Sequence, residues 1–333
     1  MSFKDKKILI IGGTGTIGQS LLKHILFKQP NVVRIFSRDE YKQYQLQNQY
    51  GNRKDLRFLI GDVRNYDRVY SAMEDIDYVF HVAAMKHVPS CEYNPYEAVM
   101  TNINGTYNVI KAATIQGVQK VIFTSSDKAI SPTNTYGATK LTAERLISAA
   151  QYSKGLARTT FTCVRFGNVL GSRGSVIPLF IKQILESKRV TVTDLNMSRF
   201  MMTLSEATNL TIKALNQSKG GEVFVLKMPV IRLEDLVTVV IEETCKKYNQ
   251  KEKVEIEEIG LRQGEKMYEE LMTYDESLNA WEMDDMFIIP GMHEKQETYE
   301  NATRAIHGTY SSKDQKPISL EEVRSLFKSE NLI

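Results

Sequence analysis

What this 333-residue sequence lacks narrows its class first. It has only three cysteines, Cys91, Cys163 and Cys245, widely spaced and without a C-x-x-C pair. Such spacing predicts neither a disulfide framework nor a zinc site, and it suits a reducing cytoplasm. No window approaches 18 uninterrupted apolar residues, so no transmembrane helix and no membrane partner are expected. The apolar stretch Ile8–Ile11 is too short for a signal peptide and runs straight into glycines, so it reads as a first strand. Lys and Arg number 43 against 40 Asp and Glu, a net charge of only +3. An excess that small, scattered along the chain, leaves no nucleic-acid footprint. The five histidines (His24, His81, His87, His293 and His307) form no H-x-x-x-H pair, so no metal site is expected. There is no internal repeat and no low-complexity linker.

What is present is an ordinary globular composition, 42% hydrophobic and 25% charged. The length suits one large domain or two of ordinary size. In the first half, short apolar runs alternate with helical patterns. Lys7–Ile11, Val32–Ser37, Leu56–Gly61, Tyr78–Val82, Lys120–Ser125 and Thr160–Phe166 read as strands. Ile17–Phe27, Asp67–Ala72, Pro95–Gln116 and Ala138–Gln151 read as helices. This alternation predicts an α/β fold with a Rossmann-type, doubly wound parallel sheet, because parallel neighbours need a crossover that a helix supplies. After about residue 168 the rhythm breaks, and glycine turns with the charged stretch Glu242–Glu258 predict a smaller C-terminal α+β part. The expected division is 1–167 for the first domain, with 201–230 returning to it, and 168–200 plus 231–333 for the second.

The first strand is followed by glycines spaced G-x-x-G-x-x-G, Gly12, Gly15 and Gly18, and then by a helical pattern. Such a turn lets backbone approach a pyrophosphate, with a helix N-terminus offering free N–H groups. Thr14, Thr16 and Ile17 within it are expected to face the same ligand. The spacing departs from G-x-G-x-x-G but rests on the same physics, and its place between strand and helix separates it from a plain tight turn. The second strand ends on Ser37 and Arg38, with Lys42 a helical turn on. A dinucleotide site for NAD would carry a carboxylate there, whereas Ser37, Arg38 and Lys42 suit the 2′-phosphate of NADP. Asp62 and Val63 after the third strand fit an adenine contact, though Gly61-Asp62 equally fits a turn.

Tyr136 and Lys140 form a Y-x-x-x-K pair on one helix face. A lysine ammonium near a phenol favours the phenolate and so makes a usable base. The pair follows a strand ending Phe123-Thr124-Ser125-Ser126, the sheet edge where α/β proteins bind ligands.

Together these features resemble the extended short-chain dehydrogenase/reductase family over nearly the whole chain. His81-Val82-Ala83-Ala84 after the fourth strand and Thr101–Thr106 in the following helix support the likeness. It implies a Ser126, Tyr136 and Lys140 triad and places Ala83 at the cofactor. More narrowly, Ser126-Asp127-Lys128-Ala129 with Pro132, Asn134 and Tyr136-Gly137 is similar to inverting UDP-N-acetylglucosamine 4,6-dehydratases. So are Ala84–Pro89, Arg165–Val169, Gly171–Pro178, and Gly260–Lys266 followed by Glu269-Glu270. Ser126 stands where many members carry threonine, and Met85 where leucine is usual.

The resemblance implies a tightly bound, recycled NADP. It implies that hydride leaves C4 of the sugar, water is lost across C5–C6, and hydride returns at C6. Tyr136 would act as base for the C4 hydroxyl, with Lys140 lowering its pKa and Ser126 polarising O4. Lys128, unprotonated, would take the C5 proton, and Asp127, protonated, would supply one to the departing hydroxyl. Lys86, Asn168, Val169, Ile177, Thr193, Arg199, Arg262 and Glu265 would hold the nucleotide sugar. Relatives of this fold pair through helices equivalent to Pro95–Gln116 and Ala138–Gln151, which implies a homo-oligomer, dimer or hexamer. The rival readings are a retaining dehydratase, a UDP-sugar 4-epimerase, which has no use for Asp127-Lys128, and an inactive NADP-dependent sensor or scaffold.

Overall fold

The computed structural model describes residues 3–172, 174–291, 298–330 and 332. His293, and Arg173 in the Gly171–Pro178 stretch, lie outside the described residues. The first half follows its alternating pattern. β1 (Lys7–Ile11) leads through the glycine turn to α1 (Thr16–Leu26), then β2 (Val32–Ser37), α2 (Glu40–Tyr50), β3 (Leu56–Ile60), α3 (Tyr66–Ala72) and β4 (Tyr78–His81). Four consecutive residues of β1 and all four of β4 are buried, as strands covered on both faces require. α2 carries no apolar stripe, only Gln43 and Leu46 being buried, so periodicity does not mark it. It is held by Asp39, whose side chain accepts a hydrogen bond from the Lys42 N–H at 3.0 Å.

The single helix expected over Pro95–Gln116 is divided. α4 (Val88–Tyr93) and α5 (Pro95–Ala98) precede a π-helical stretch, Val99–Asn104, and α6 (Gly105–Ile115). The widened turn brings Asn102 inward, where it brackets the Met85 backbone, accepting from its N–H at 2.8 Å and donating to its carbonyl at 3.0 Å. Insertions of this kind recur at functional sites, and here one fixes the loop that follows β4. β5 (Lys120–Thr124), a 3₁₀ turn (Asp127–Ala129), α7 (Thr135–Ser153) and β6 (Thr160–Arg165) complete the alternating part.

The remaining elements are β7 (Asn168–Val169), α8 (Val176–Ser187), β8 (Arg189–Val192), β9 (Ser198–Met202), α9 (Leu204–Gln217), β10 (Val223–Leu226), β11 (Val230–Arg232) and α10 (Leu233–Lys247). They continue through β12 (Glu255–Glu258), β13 (Glu270–Met272), α11 (Tyr274–Ser277), β14 (Trp281–Glu282), β15 (Met286–Ile289), β16 (Thr303–Arg304), β17 (Tyr310–Ser311) and α12 (Leu320–Ser329). The main sheet has the order β16-β14-β15-β10-β6-β5-β4-β1-β2-β3. β10 joins it parallel to β6, and α9 packs on α1, where Thr208 donates to Ser20 Oγ at 2.7 Å. One correction concerns the last strands. β14, β15 and β16, expected in the smaller part, extend the main sheet: β15 lies antiparallel to β10, β14 to β15 and β16 to β14, and the buried run Met286–Ile289 satisfies the open edge of β10. The smaller part has its own apolar cluster, including Ile177, Phe180, Val190, Leu236, Val240 and Phe327.

Candidate active site

The strand order reverses beside β1, which has β2 on one side and β4 on the other, so a crevice opens above their C-terminal ends. A cavity of about 880 Å³ runs from the glycine turn to the smaller part, within the roughly 300–1,000 Å³ usual for small-molecule sites. Gly12 has φ +88°, and a Cβ there would lie 2.7 Å from the Ala83 nitrogen. A Cβ on Gly18 would lie 2.5 Å from the Gly12 carbonyl oxygen. These glycines pack strand, turn and helix together, while Gly12, Thr14, Gly15, Thr16, Ile17 and Gly18 line the cavity. The N-terminus of α1, at Gly15 and Thr16, has no side-chain cap, and helix ends of this kind attract anions. Arg38 and Lys42 line the same end. Lys42 pairs with Asp39, and Arg38 lies 3.8 Å from Asp62. A backbone cradle, an uncapped helix end and two nearby cations fit the pyrophosphate of a dinucleotide.

Four residues expected at this end are absent from its lining. The Ser37 hydroxyl accepts from Gln43 Nε2 at 3.0 Å, which ties it to α2. Asp62 Oδ2 accepts from both Arg64 Nε at 2.9 Å and Nη2 at 2.7 Å. Burial would raise the pKa of this carboxyl, but Arg64 outweighs burial and holds it below its ordinary value. Val63 is buried beneath α6, where a Cβ on Gly105 would meet it at 2.7 Å. Ala83 supports the glycine turn with its backbone.

Ser126, Asp127 and Lys128 leave β5 in the 3₁₀ turn and line the middle of the cavity with Tyr136 and Lys140. Ser126 Oγ donates to Asp127 Oδ1 at 2.7 Å, and Lys128 Nζ lies 3.1 and 3.2 Å from the two Asp127 oxygens. α7 is capped by Asn134, whose side chain accepts from Gly137 N–H at 2.9 Å. The helix then sits directly on the turn, since a Cβ on Gly137 would fall 2.1 Å from the Lys128 carbonyl oxygen. The glycine after the tyrosine is therefore what brings Tyr136 beside the Asp127–Lys128 pair.

The surroundings of Lys128, Tyr136 and Lys140 bear on their charge. Burial alone would depress Lys128, but Asp127 and Glu269 outweigh it and hold the lysine above its ordinary value, as an ammonium. Burial raises the phenol of Tyr136, against the opposing pull of Ser126 and Lys128. Lys140 was expected to supply that pull. Its Nζ instead donates to the Thr124 carbonyl at 2.7 Å, 4.4 Å from the centre of the Phe123 ring, and burial brings its pKa down to about 8.

At the other end Lys86, Asn168, Val169, Ile177, Thr193, Arg199 and Glu265 line the cavity. Arg199 is already engaged, donating to the carbonyls of Ser198, Met267 and Lys266 at 2.8, 3.2 and 2.7 Å. Arg262 is exposed and absent from the lining, because its loop turns it outward. Two acidic groups given no role by sequence reasoning emerge here. Glu269, visible only as part of a motif, is buried 3.5 Å from Lys128. Glu276, reached from β6 by Arg165, belongs to a buried triad in which Arg165 Nη2 lies 2.5 Å from Glu144 and 2.9 Å from Glu276. Arg165 Nη1 also donates to the Leu271 carbonyl at 2.8 Å, so α7, β6 and the segment around β13 are tied together.

Residues 8–291 match the family described as polysaccharide biosynthesis protein. A UDP-N-acetylglucosamine 4,6-dehydratase (inverting) of Campylobacter jejuni is 42% identical over 289 residues, 86% of this chain and 83% of its own. A UDP-glucose 4-epimerase of Rickettsia bellii is 41% identical, covering 97% and 96%. An uncharacterized membrane protein of Methanocaldococcus jannaschii is 46% identical, covering 98% and 96%. Among the described residues of this chain, no helix is long and apolar enough to cross a membrane. The X-ray structure of Pen from Bacillus thuringiensis superposes with a TM-score of 0.94 at 64% identity, covering both chains completely. The dTDP-glucose 4,6-dehydratase DesIV of Streptomyces venezuelae, solved with NAD, shares the fold at a TM-score of 0.69 and 18% identity, covering 78% of this chain and 86% of its own. With its parallel sheet, glycine turn and Tyr136/Lys140 helix, the chain belongs to the polysaccharide biosynthesis protein family of extended short-chain dehydrogenases/reductases.

Proposed function

We propose that this protein is an inverting UDP-N-acetylglucosamine 4,6-dehydratase working with NADP. The observation that carries the reading is the Asp127–Lys128 pair, 3.1 Å apart, set beside Tyr136 in the cavity that begins at the glycine turn. A bound nicotinamide dinucleotide supplies the acceptance and return of hydride. Gly12, Gly15 and the α1 N-terminus hold its pyrophosphate, and Arg38 and Lys42 select the 2′-phosphate. Tyr136 takes the proton of the C4 hydroxyl while Ser126 bonds O4. Oxidation at C4 acidifies the C5 proton, which Lys128 removes, and Asp127 protonates the departing C6 hydroxyl.

The resting ammonium of Lys128 is reconciled with that task by one internal transfer. A proton passing from Nζ to Asp127 Oδ1 yields neutral lysine and carboxylic acid together, the states that elimination requires. Substrate filling the cavity excludes water and favours the neutral forms. The name of the Rickettsia relative favours a 4-epimerase as second reading, but that reaction leaves Asp127 and Lys128 without a task. A second copy of the chain is expected against α5, α6 and α7, where Tyr96, Tyr107 and Tyr152 are exposed.

Incubation with UDP-N-acetylglucosamine in deuterated water, without added cofactor, tests the reading. The dehydratase gives loss of one water by mass spectrometry, with solvent deuterium and inverted configuration at C5 by NMR. An unchanged mass with altered C4 configuration overturns it in favour of the epimerase.

A further inference from the structure

We propose that Glu269 sets the charge on Lys128 and so governs when that lysine can act as a base, an inference that rests on the dehydratase reading above. Glu269 immediately precedes β13, is buried, and is absent from the lining of the main cavity. Its Oε1 lies 3.5 Å from Lys128 Nζ and 3.9 Å from Arg199 Nε. Lys128 is thus held between two carboxylates, Asp127 from its own turn and Glu269 from the smaller part. Glu269 also borders a side pocket of about 200 Å³ with Lys128, Asn134, Arg199, Glu265 and Lys266.

The consequence follows from charge. Transfer from Lys128 to Asp127 breaks an N–H bond, forms an O–H bond, and cancels two charges. An ionised Glu269 stabilises the ammonium and opposes the transfer. Arg199 and Lys266 face Glu269 and temper its negative charge while Asp127 repels it; on Lys128 itself the Tyr136 phenol favours the ammonium and Arg199 opposes it. Burial raises the Glu269 carboxyl above its ordinary value, with the charge of Lys128 pulling the other way. Glu269 acts through Lys128, which makes it a positioning residue.

The test is the pH profile of water loss from UDP-N-acetylglucosamine by the wild-type enzyme, Glu269→Gln and Glu269→Asp. Removing the carboxylate's charge from within 4 Å of Lys128 is expected to move the acid limb of kcat down by about 1–3 pH units, with KM little changed. Glu269→Asp, which draws the carboxylate back by one methylene, is expected to shift it less. A folded Glu269→Gln enzyme whose acid limb stays at the wild-type pH overturns the proposal, whatever its rate. Should Glu269→Gln not fold, an unmoved limb in Glu269→Asp overturns it equally. Failure of the underlying reading is separate and visible, since there the wild-type enzyme releases no water or Lys128→Ala releases it normally.

Discussion

Replacing Gly137 with alanine probes the contact on which the catalytic arrangement depends. The added Cβ would lie 2.1 Å from the Lys128 carbonyl oxygen and 3.1 Å from Pro132 Cβ, about 1.3 Å short of the 3.4 Å at which ordinary contact begins. The closest obstacle is backbone, so no side chain can swing aside; α7 and the 3₁₀ turn must separate by roughly 1 Å. Misplacement of that size between reacting groups costs on the order of 10²-fold in rate. Overpacking costs about 1–3 kcal/mol, offset by up to ~1 kcal/mol from alanine's better helix propensity. We expect kcat for water loss to fall about 100-fold, and Tm to drop by a few degrees. Gly308→Ala is the control, because nothing lies within 4 Å of a Cβ there and its backbone is not left-handed, so both quantities should hold. A Gly137→Ala enzyme with wild-type rate and Tm would refute the reasoning.

Two further outcomes are expected. Arg38→Ala combined with Lys42→Ala should weaken NADP binding about 30- to 900-fold, the two lost charge-assisted contacts being worth about 1–2 kcal/mol each, and leave NAD binding little changed; equal losses for both by calorimetry would refute the 2′-phosphate assignment. Burial lowers Lys140 from 10.5 to about 8. The unfolded chain therefore holds the extra proton between those values, and stability should rise with pH from about 8 towards 10.5. The rise is worth up to about 3 kcal/mol, and it should be missing in Lys140→Met when urea midpoints are compared at the two ends of that window. A rise of the same size in both proteins would show that other groups cause it.

The alternating first half was legible because strands covered on both faces are continuous apolar runs, as in Ile8–Ile11, and because the glycine turn has a fixed place between strand and helix. β14 and β16 were not legible, since two-residue antiparallel strands carry no periodicity and depend on a neighbouring edge. Side-chain direction was also hidden. Nothing in the sequence says that Ser37 bonds Gln43 or that Asp62 is claimed by Arg64. The Tyr136/Lys140 pair was readable from local spacing, and Ser126, Asp127 and Lys128 beside it from the family resemblance. The surroundings of Lys128 and Lys140 were not, because Glu269 comes from a distant part of the chain and because Lys140 turns to the Thr124 carbonyl.

The buried Arg165 triad also limits how the gene can be recombined. Glu144, Arg165, Leu271 and Glu276 lie on both sides of nearly every boundary at which a smaller lobe would be exchanged. A chimera joined between β6 and β13, taking one half from a relative with a different arrangement, would leave the Arg165 guanidinium or a carboxylate buried and uncompensated, at about 3–5 kcal/mol. Substrate preference in this scaffold is therefore more open to change by point substitution along the cavity wall than by exchange of whole modules.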